Sequence, residues 1–335
     1  MTAITIPKRR PGRQSPAAIE RYDRDLAEFC TALKQIDSTL EFKVSSRGWS
    51  YVLEEYGLNK GDFDSAQGLI NDCRKDGHLP IDFVIVDNAR AFDGQEVIWH
   101  DDAETAARDI VEEIGAAHLR YTPHSFWDDK DFYIQALVEK IDLKGIFKPV
   151  FNRFCIPYAN TKGWSDINGR ADMMSRFKEW EAKGKQCVLL YCGDHDPGGL
   201  QISDFLRSNM EDLAGAVGWS PDNLIINRFG LNEDFIEEHG LTWIDNLETS
   251  SGKNLGDPKH PDHNKPYVQD YIEQFGIRKV EANALVTRID AGRKLCLQTI
   301  LKYLSGDDPD TYEREVEEWR EGVKDLVAEY LEDES

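Results

Sequence analysis

No stretch of the 335 residues approaches the ~18 consecutive apolar residues that a membrane helix needs. The opening Met1-Thr-Ala-Ile-Thr-Ile-Pro-Lys-Arg-Arg10 has no apolar core of the kind a secretory leader carries, so the chain reads as cytoplasmic, with no membrane partner. Its six cysteines (30, 73, 155, 187, 192 and 296) include no Cys-x-x-Cys pair. That argues against a zinc knuckle or a disulfide scaffold and leaves free thiols in a reducing compartment. A Gly-x-x-x-x-Gly-Lys-[Ser/Thr] loop is missing, so any dependence on ATP falls to a separate ATPase partner. Internal repeats and low-complexity tracts are missing too. With 40% apolar and 10% aromatic residues the chain still has material for real cores, and its length suits two domains or three.

Positive charge is in short supply. Forty Lys and Arg face 62 Asp and Glu, a formal charge of −22 that repels nucleic acid at long range. Contact with DNA would have to run through local basic patches or bridging metal ions. Two patches stand out. Lys8, Arg9, Arg10 and Arg13 form a flexible arm over residues 1–15, and Lys140, Lys144 and Lys148 fall at helical spacing. The plainer alternative for both is solvated surface charge.

Residues 16–37 carry Ile19, Tyr22, Leu26, Phe29, Leu33 and Ile36 at steps of three and four, an amphipathic helix opened by Ser15-Pro16. A short segment over 47–55 follows, then a second stripe of Phe63, Ala66, Leu69, Ile70 and Cys73, and then a β-rich run over 79–86. Helix, turn, helix and strand is the order of a winged-helix DNA-binding module, here assigned to residues 16–125. From about residue 130 the rhythm changes. Strand-like runs at 133–138, 154–158, 188–192 and 224–226 alternate with helical stripes, which predicts an α/β domain with a mostly parallel, Rossmann-like sheet over 130–305. Residues 246–265 are a long polar loop of the kind that is functional or disordered. An acidic C-terminal helix is expected over 306–335. Its Tyr312, Val316, Trp319, Val323, Leu326 and Tyr330 form a heptad-like seam that pairs with a second copy or packs on its own domain.

The strongest local feature is Gly193-Asp-His-Asp-Pro-Gly-Gly199, directly after the apolar run at 188–192. Asp-x-Asp occurs five times in the chain, so the spacing alone means nothing; the buried strand before Asp194 and Asp196 and the tight turn after them set this pair apart. Open α/β sheets bind ligands at the C-terminal ends of their strands, and paired hard carboxylates there suit Mg²⁺. Glu139 ends the earlier strand. If the two strands are parallel neighbours, three acids meet at one edge and need a divalent cation to offset their repulsion. The alternative for Glu139 is an acid at a helix N-terminus. His195 is expected to point outward from its turn, and His260 and His263, despite metal-like spacing, to be solvated.

A strand ending in Glu139, a Lys162-Gly163 step, then strand-Gly-Asp-x-Asp-Pro-x-Gly resembles the TOPRIM domain. The version it resembles is that of the A subunit of archaeal topoisomerase VI and the related meiotic double-strand-break proteins, which place a winged helix first. Arg228-Phe-Gly-Leu231 and Val280-Glu-Ala-Asn-Ala-Leu285 resemble the C-terminal part of compact TOPRIM proteins of phage and mobile elements. The resemblance implies a metal, Mg²⁺ or Mn²⁺, on Glu139, Asp194 and Asp196. It also implies a nucleophilic tyrosine within Arg-x-x-[Tyr/Phe]-Tyr. Here the stretch is Arg47-Gly-Trp-Ser-Tyr51, with Ser50 in place of the first aromatic. Tyr51 would attack a phosphodiester of double-stranded DNA, helped by Arg47, with Glu139 a candidate general acid. A homodimer and association with the nucleoid follow from the same likeness. The rival expectations are a TOPRIM nuclease that hydrolyses DNA or RNA with water, and a non-enzymatic DNA-binding component. The plain alternative for Tyr51 is a ring in the core with a wet hydroxyl.

Overall fold

The computed structural model describes residues 4–9, 15–80, 82–85, 102–161, 167–249, 252–304 and 309–333. Helix α1 (Pro16–Asp37) starts where Pro16, with its φ already set, follows an extended Ser15. Its Leu26, Phe29, Leu33 and Ile36 are buried along one face, as the spacing predicts. Helix α2 (Ser46–Glu54) is capped by Ser45, whose hydroxyl accepts the Gly48 N–H, and α3 (Phe63–Lys75) packs beside it.

The run at 79–86 does not become a strand where it is described. Residues 79, 80 and 82–85 are turn and irregular backbone, and Phe83 stacks on Trp49 at 4.8 Å between ring centroids. Val86 lies outside the described residues, as do Arg10, Arg13 and the Lys162-Gly163 step. The described part of the basic arm is laid on the body: Ile4 N–H donates to the Tyr56 carbonyl and Lys8 pairs with Asp62 at 3.1 Å.

After helix α4 (Ala103–Ala116) comes a four-stranded, all-parallel sheet in the order β2-β1-β3-β4. The strands are β1 (Phe132–Val138), β2 (Tyr158–Asn160), β3 (Gln186–Cys192) and β4 (Ile225–Arg228). Helices α5 (Ile141–Arg153), α6 (Ile167–Ala182) and α7 (Ile202–Glu211) make the crossovers. Six of the seven residues of both β1 and β3 are buried, so these strands read as continuous apolar runs rather than alternating ones. The polar exception, Gln135, is satisfied by the Met173 carbonyl and by Arg176.

The second strand begins later than its apolar residues suggest. Helix α5 runs to Arg153, and Cys155 takes a left-handed turn (φ 49°), so Phe154 and Ile156 are buried in the turn and pairing starts at Tyr158. Further on come α8 (Pro266–Phe275), a 3₁₀ turn (Ala282–Thr287), α9 (Ile289–Ile300) and α10 (Pro309–Asp333). The seam of α10 splits. Val316 is buried and Tyr312 packs on Phe126, whereas Trp319, Leu326 and Tyr330 are exposed. One contiguous core runs from Leu26 on α1 to Ile300 on α9, joining the N-terminal helices to the sheet. Among the described residues no helix is long and apolar enough to cross a membrane.

Candidate active site

The strand order reverses between β1 and β3. The chain leaves β1 to build β2 on one side, and returns to lay β3 and then β4 on the other. Such a reversal opens a crevice at the C-terminal strand ends. The register Val138↔Cys192 brings the two strand ends level, so Glu139 and Asp194 emerge side by side. Glu139 Oε2 accepts the Asp194 N–H at 2.7 Å and the Tyr191 hydroxyl at 3.2 Å. The Lys140 ammonium lies between the two carboxylates, 2.6 Å from Glu139 Oε1 and 2.7 Å from Asp194 Oδ2.

Asp194 is 6% exposed, and its Oδ1 accepts the Ala282 N–H at 2.7 Å. Asp196 caps the one-turn helix Pro197–Leu200, taking the Gly199 N–H at 2.6 Å. Gly199 is obligatory, since a Cβ there would overlap the Asp194 carbonyl oxygen. Arg228, from the end of β4, ties this loop down by donating to the Gly199 and Asp194 carbonyls.

Burial pushes the Asp194 carboxyl above the usual carboxylate range, with Glu139 and Asp196 adding to the rise and the Lys140 ammonium, 2.7 Å away, opposing it. Burial raises Asp196 as well. Burial alone would raise Glu139 too, but Lys140 and the Asp194 N–H hold it below the usual carboxylate range. Lys140 is the counterpart: burial opposes its charge, and the two carboxylates more than restore it.

Opposite these acids lies a second cluster. Arg47 on α2 grips Glu281 with two prongs, Nε to Oε2 at 2.8 Å and Nη2 to Oε1 at 3.1 Å. The Tyr51 hydroxyl, one helical turn on, donates to the same Oε2 at 2.9 Å, and Lys279 stands 3.6 Å from Oε1. Burial and then Glu281 raise the Tyr51 phenol well above its ordinary value. Val280 pairs with His195 in an antiparallel bridge, which locks the Glu281 segment onto the aspartate loop. A cleft of about 1190 Å³ is lined by both clusters: Glu139, Lys140, Asp194 and Asp196 from one, Arg47, Lys279 and Glu281 from the other, with Lys60 between.

No protein-family model, curated protein or solved structure matches this chain. Of the five residues singled out in the sequence, Glu139 and Asp194 meet directly, and Asp196 and Arg47 line the same cleft. Tyr51 reaches it through Glu281, with its ring 1% exposed and its hydroxyl bonded rather than wet. Among the described residues no three His, Cys, Asp or Glu side chains are gathered around one point; Lys140 fills the gap between Glu139 and Asp194, and Asp196 turns to its cap. The donor chemistry nevertheless suits a hard cation, because two carboxylates already share one positive charge there.

Three readings change. Lys140 is not part of a basic helix face with Lys144 and Lys148, because as the residue capping α5 it points into the acids. His195 is buried, not outward. Its Nδ1 lies 2.9 Å from the Tyr271 oxygen, and Tyr271 in turn reaches the His195 and Arg278 carbonyls. His260 and His263 are half-buried, and their Nδ1 atoms serve turn hydrogen bonds. Glu281 and the bridging role of Lys140 left no local mark in the sequence.

Burial lowers His195 to about 4 from an ordinary value near 6.5. The unfolded chain therefore takes up a proton that the fold refuses, and stability falls as pH drops from about 6.5 toward 4, by up to about 1.4 kcal/mol per pH unit. Urea unfolding at pH 7 and pH 5 measures this loss. A His195→Gln protein should lose less between the two pH values, and an equal loss would place the effect elsewhere.

Proposed function

We propose that the chain is a metal-dependent DNA-cleaving protein, with a winged-helix-like N-terminal module and a TOPRIM-like domain as in the A subunit of topoisomerase VI. The observation that carries this reading is the meeting of Glu139 and Asp194 at the reversal point of a parallel sheet, around a shared cation. Glu139, Asp194 and Asp196 would hold Mg²⁺ or Mn²⁺. Bound there, the ion supplies positive charge against what builds on the phosphate and the leaving oxygen. Arg47, Lys60 and Lys279 give an acidic protein the local cations that a DNA phosphate requires.

Tyr51, Glu281 and Arg47 have the logic of a nucleophile, a base and an orienting group. In this step the Tyr51 oxygen bonds to phosphorus and its proton passes to Glu281 Oε2. The bond from phosphorus to the departing sugar oxygen breaks, and that oxygen takes a proton from water, whose hydroxide is neutralised by the proton Glu281 then gives up. The product is a phosphotyrosyl DNA end, and the bond exchange needs no nucleotide. A homodimer would cut both strands, and coupling to ATP would need a separate partner. The burial of Tyr51 favours a second reading, hydrolysis by water with Tyr51 a spectator.

Supercoiled plasmid incubated with the protein and Mg²⁺, then run with and without prior protease digestion, separates them. Tyrosine attack predicts protein-linked ends that vanish in Tyr51→Phe, with cutting slowed by at least ~10²-fold. Protein-free ends and full activity in Tyr51→Phe would establish hydrolysis. No cutting with any divalent ion would leave only a DNA-binding role.

A further inference from the structure

We propose that Lys140 is a built-in placeholder for the metal, a tethered ammonium that keeps Glu139 and Asp194 in ligand geometry until a divalent cation displaces it. The inference rests on the metal-binding reading above. Its ground is the position of the ammonium, 2.6 and 2.7 Å from one oxygen of each carboxylate. The remaining oxygens of both acids are fixed by the protein: Glu139 Oε2 by Asp194 N–H and Tyr191, Asp194 Oδ1 by Ala282 N–H. The two free-facing oxygens are thus the ones Lys140 occupies. Two carboxylates this close, one buried and one half-buried, would otherwise repel and swing apart, and the site would have to reassemble for every ion.

Lys140 is suited to leave. Its side chain is 29% exposed on the cleft wall, on a flexible four-carbon stem, whereas both acids are anchored by backbone. A divalent cation takes the same two oxygens with twice the charge and expels the ammonium by like-charge repulsion. The freed ammonium remains in the cleft with Arg47, Lys60 and Lys279, where a phosphate would sit.

This picture makes opposite demands on the two states. With Lys140 present, metal must compete with an internal cation; without it, the metal site is open but the metal-free protein carries an uncompensated pair. Calorimetric titration with Mn²⁺ and thermal melts with and without Mn²⁺ should be run on the unaltered protein, Lys140→Met and Lys140→Gln. Both variants should bind Mn²⁺ at least ~10-fold more tightly, because a positive charge next to the ion has gone. Both should melt lower than the unaltered protein without metal, and the gap should close at saturating Mn²⁺. Unchanged or weaker binding in the variants, or an equal melting loss with and without metal, would make Lys140 a fixed structural partner and overturn the proposal alone. No Mn²⁺ binding by any of the three proteins would overturn the metal reading with it.

Discussion

Glu139→Gln and Asp194→Asn are each expected to slow Mg²⁺-dependent plasmid cleavage on the order of 10³-fold while leaving the protein folded, several kcal/mol of lost metal assistance at 1.36 kcal/mol per tenfold. Folding survives because the buried backbone donors keep their acceptors. The glutamine amide in the first variant still offers an oxygen to the Asp194 N–H, and the asparagine amide in the second still offers one to the Ala282 N–H. The negative charge goes, and with it the ion pair to Lys140 and the affinity for a hard cation. Asp196→Asn sharpens the test. Asparagine caps a helix as well as aspartate does, so the Gly199 N–H keeps its acceptor and any fall in rate is due to charge. The prediction holds for a tyrosine or a water nucleophile alike, since both need the phosphate charge offset. Initial rates of supercoil loss, with melting temperature as the control for folding, decide it. Unchanged rates in the two single variants, with melting temperature intact, would remove the carboxylates from the chemistry.

The parts of this site that the sequence disclosed are those whose signal is local. The runs ending at Val138 and Cys192 are buried strands because nearly every residue in them is apolar, and Glu139 and Asp194 stand out as the first acids after each. The glycines after Asp196 announce a turn, and the second of them, Gly199, admits no side chain. What stayed hidden depends on pairing across the chain. Arg47 and Glu281 are 234 positions apart, and nothing around Glu281 marks it as the acceptor for both Arg47 and Tyr51. Lys140 misled for the opposite reason. Its helical spacing with Lys144 and Lys148 is real, but it sits at the cap of α5, where the chain has not yet entered the helical face and the nearest charges are acids. His195 likewise looks like a turn residue until Trp243, Tyr271 and Phe275 close around it. The strand expected at 79–86 is turn and irregular backbone where it is described, and Phe83 there stacks on Trp49, a tertiary contact that strand propensity does not foresee.

Asp142→Ala is expected to cost about 3 kcal/mol or more of folding stability, because it strips the acceptor from three donors around one buried point. Asp142 is fully buried and takes the Ser45 N–H at 2.5 Å, the Ser45 hydroxyl at 2.5 Å and the Asn283 amide. These bonds join the start of α2, which carries Arg47 and Tyr51, to the 3₁₀ turn that follows Glu281. Loss of Asp142 should therefore loosen the two halves of the cleft from each other as well as lower stability. The pH dependence has a definite sign. Burial raises the Asp142 carboxyl above its ordinary value, so the folded protein holds that proton to higher pH than the unfolded chain does. Its contribution is greatest at acid pH and shrinks as pH climbs above the ordinary carboxylate value of about 3.9, opposite in slope to that of His195. Asp142→Asn, which keeps an oxygen acceptor and has no charge to titrate, should cost less than the alanine variant and lose that slope. Urea denaturation of the three proteins at pH 5 and pH 8 reads both effects. An alanine variant as stable as the parent at both pH values would show that the junction is held by packing, not by this carboxylate.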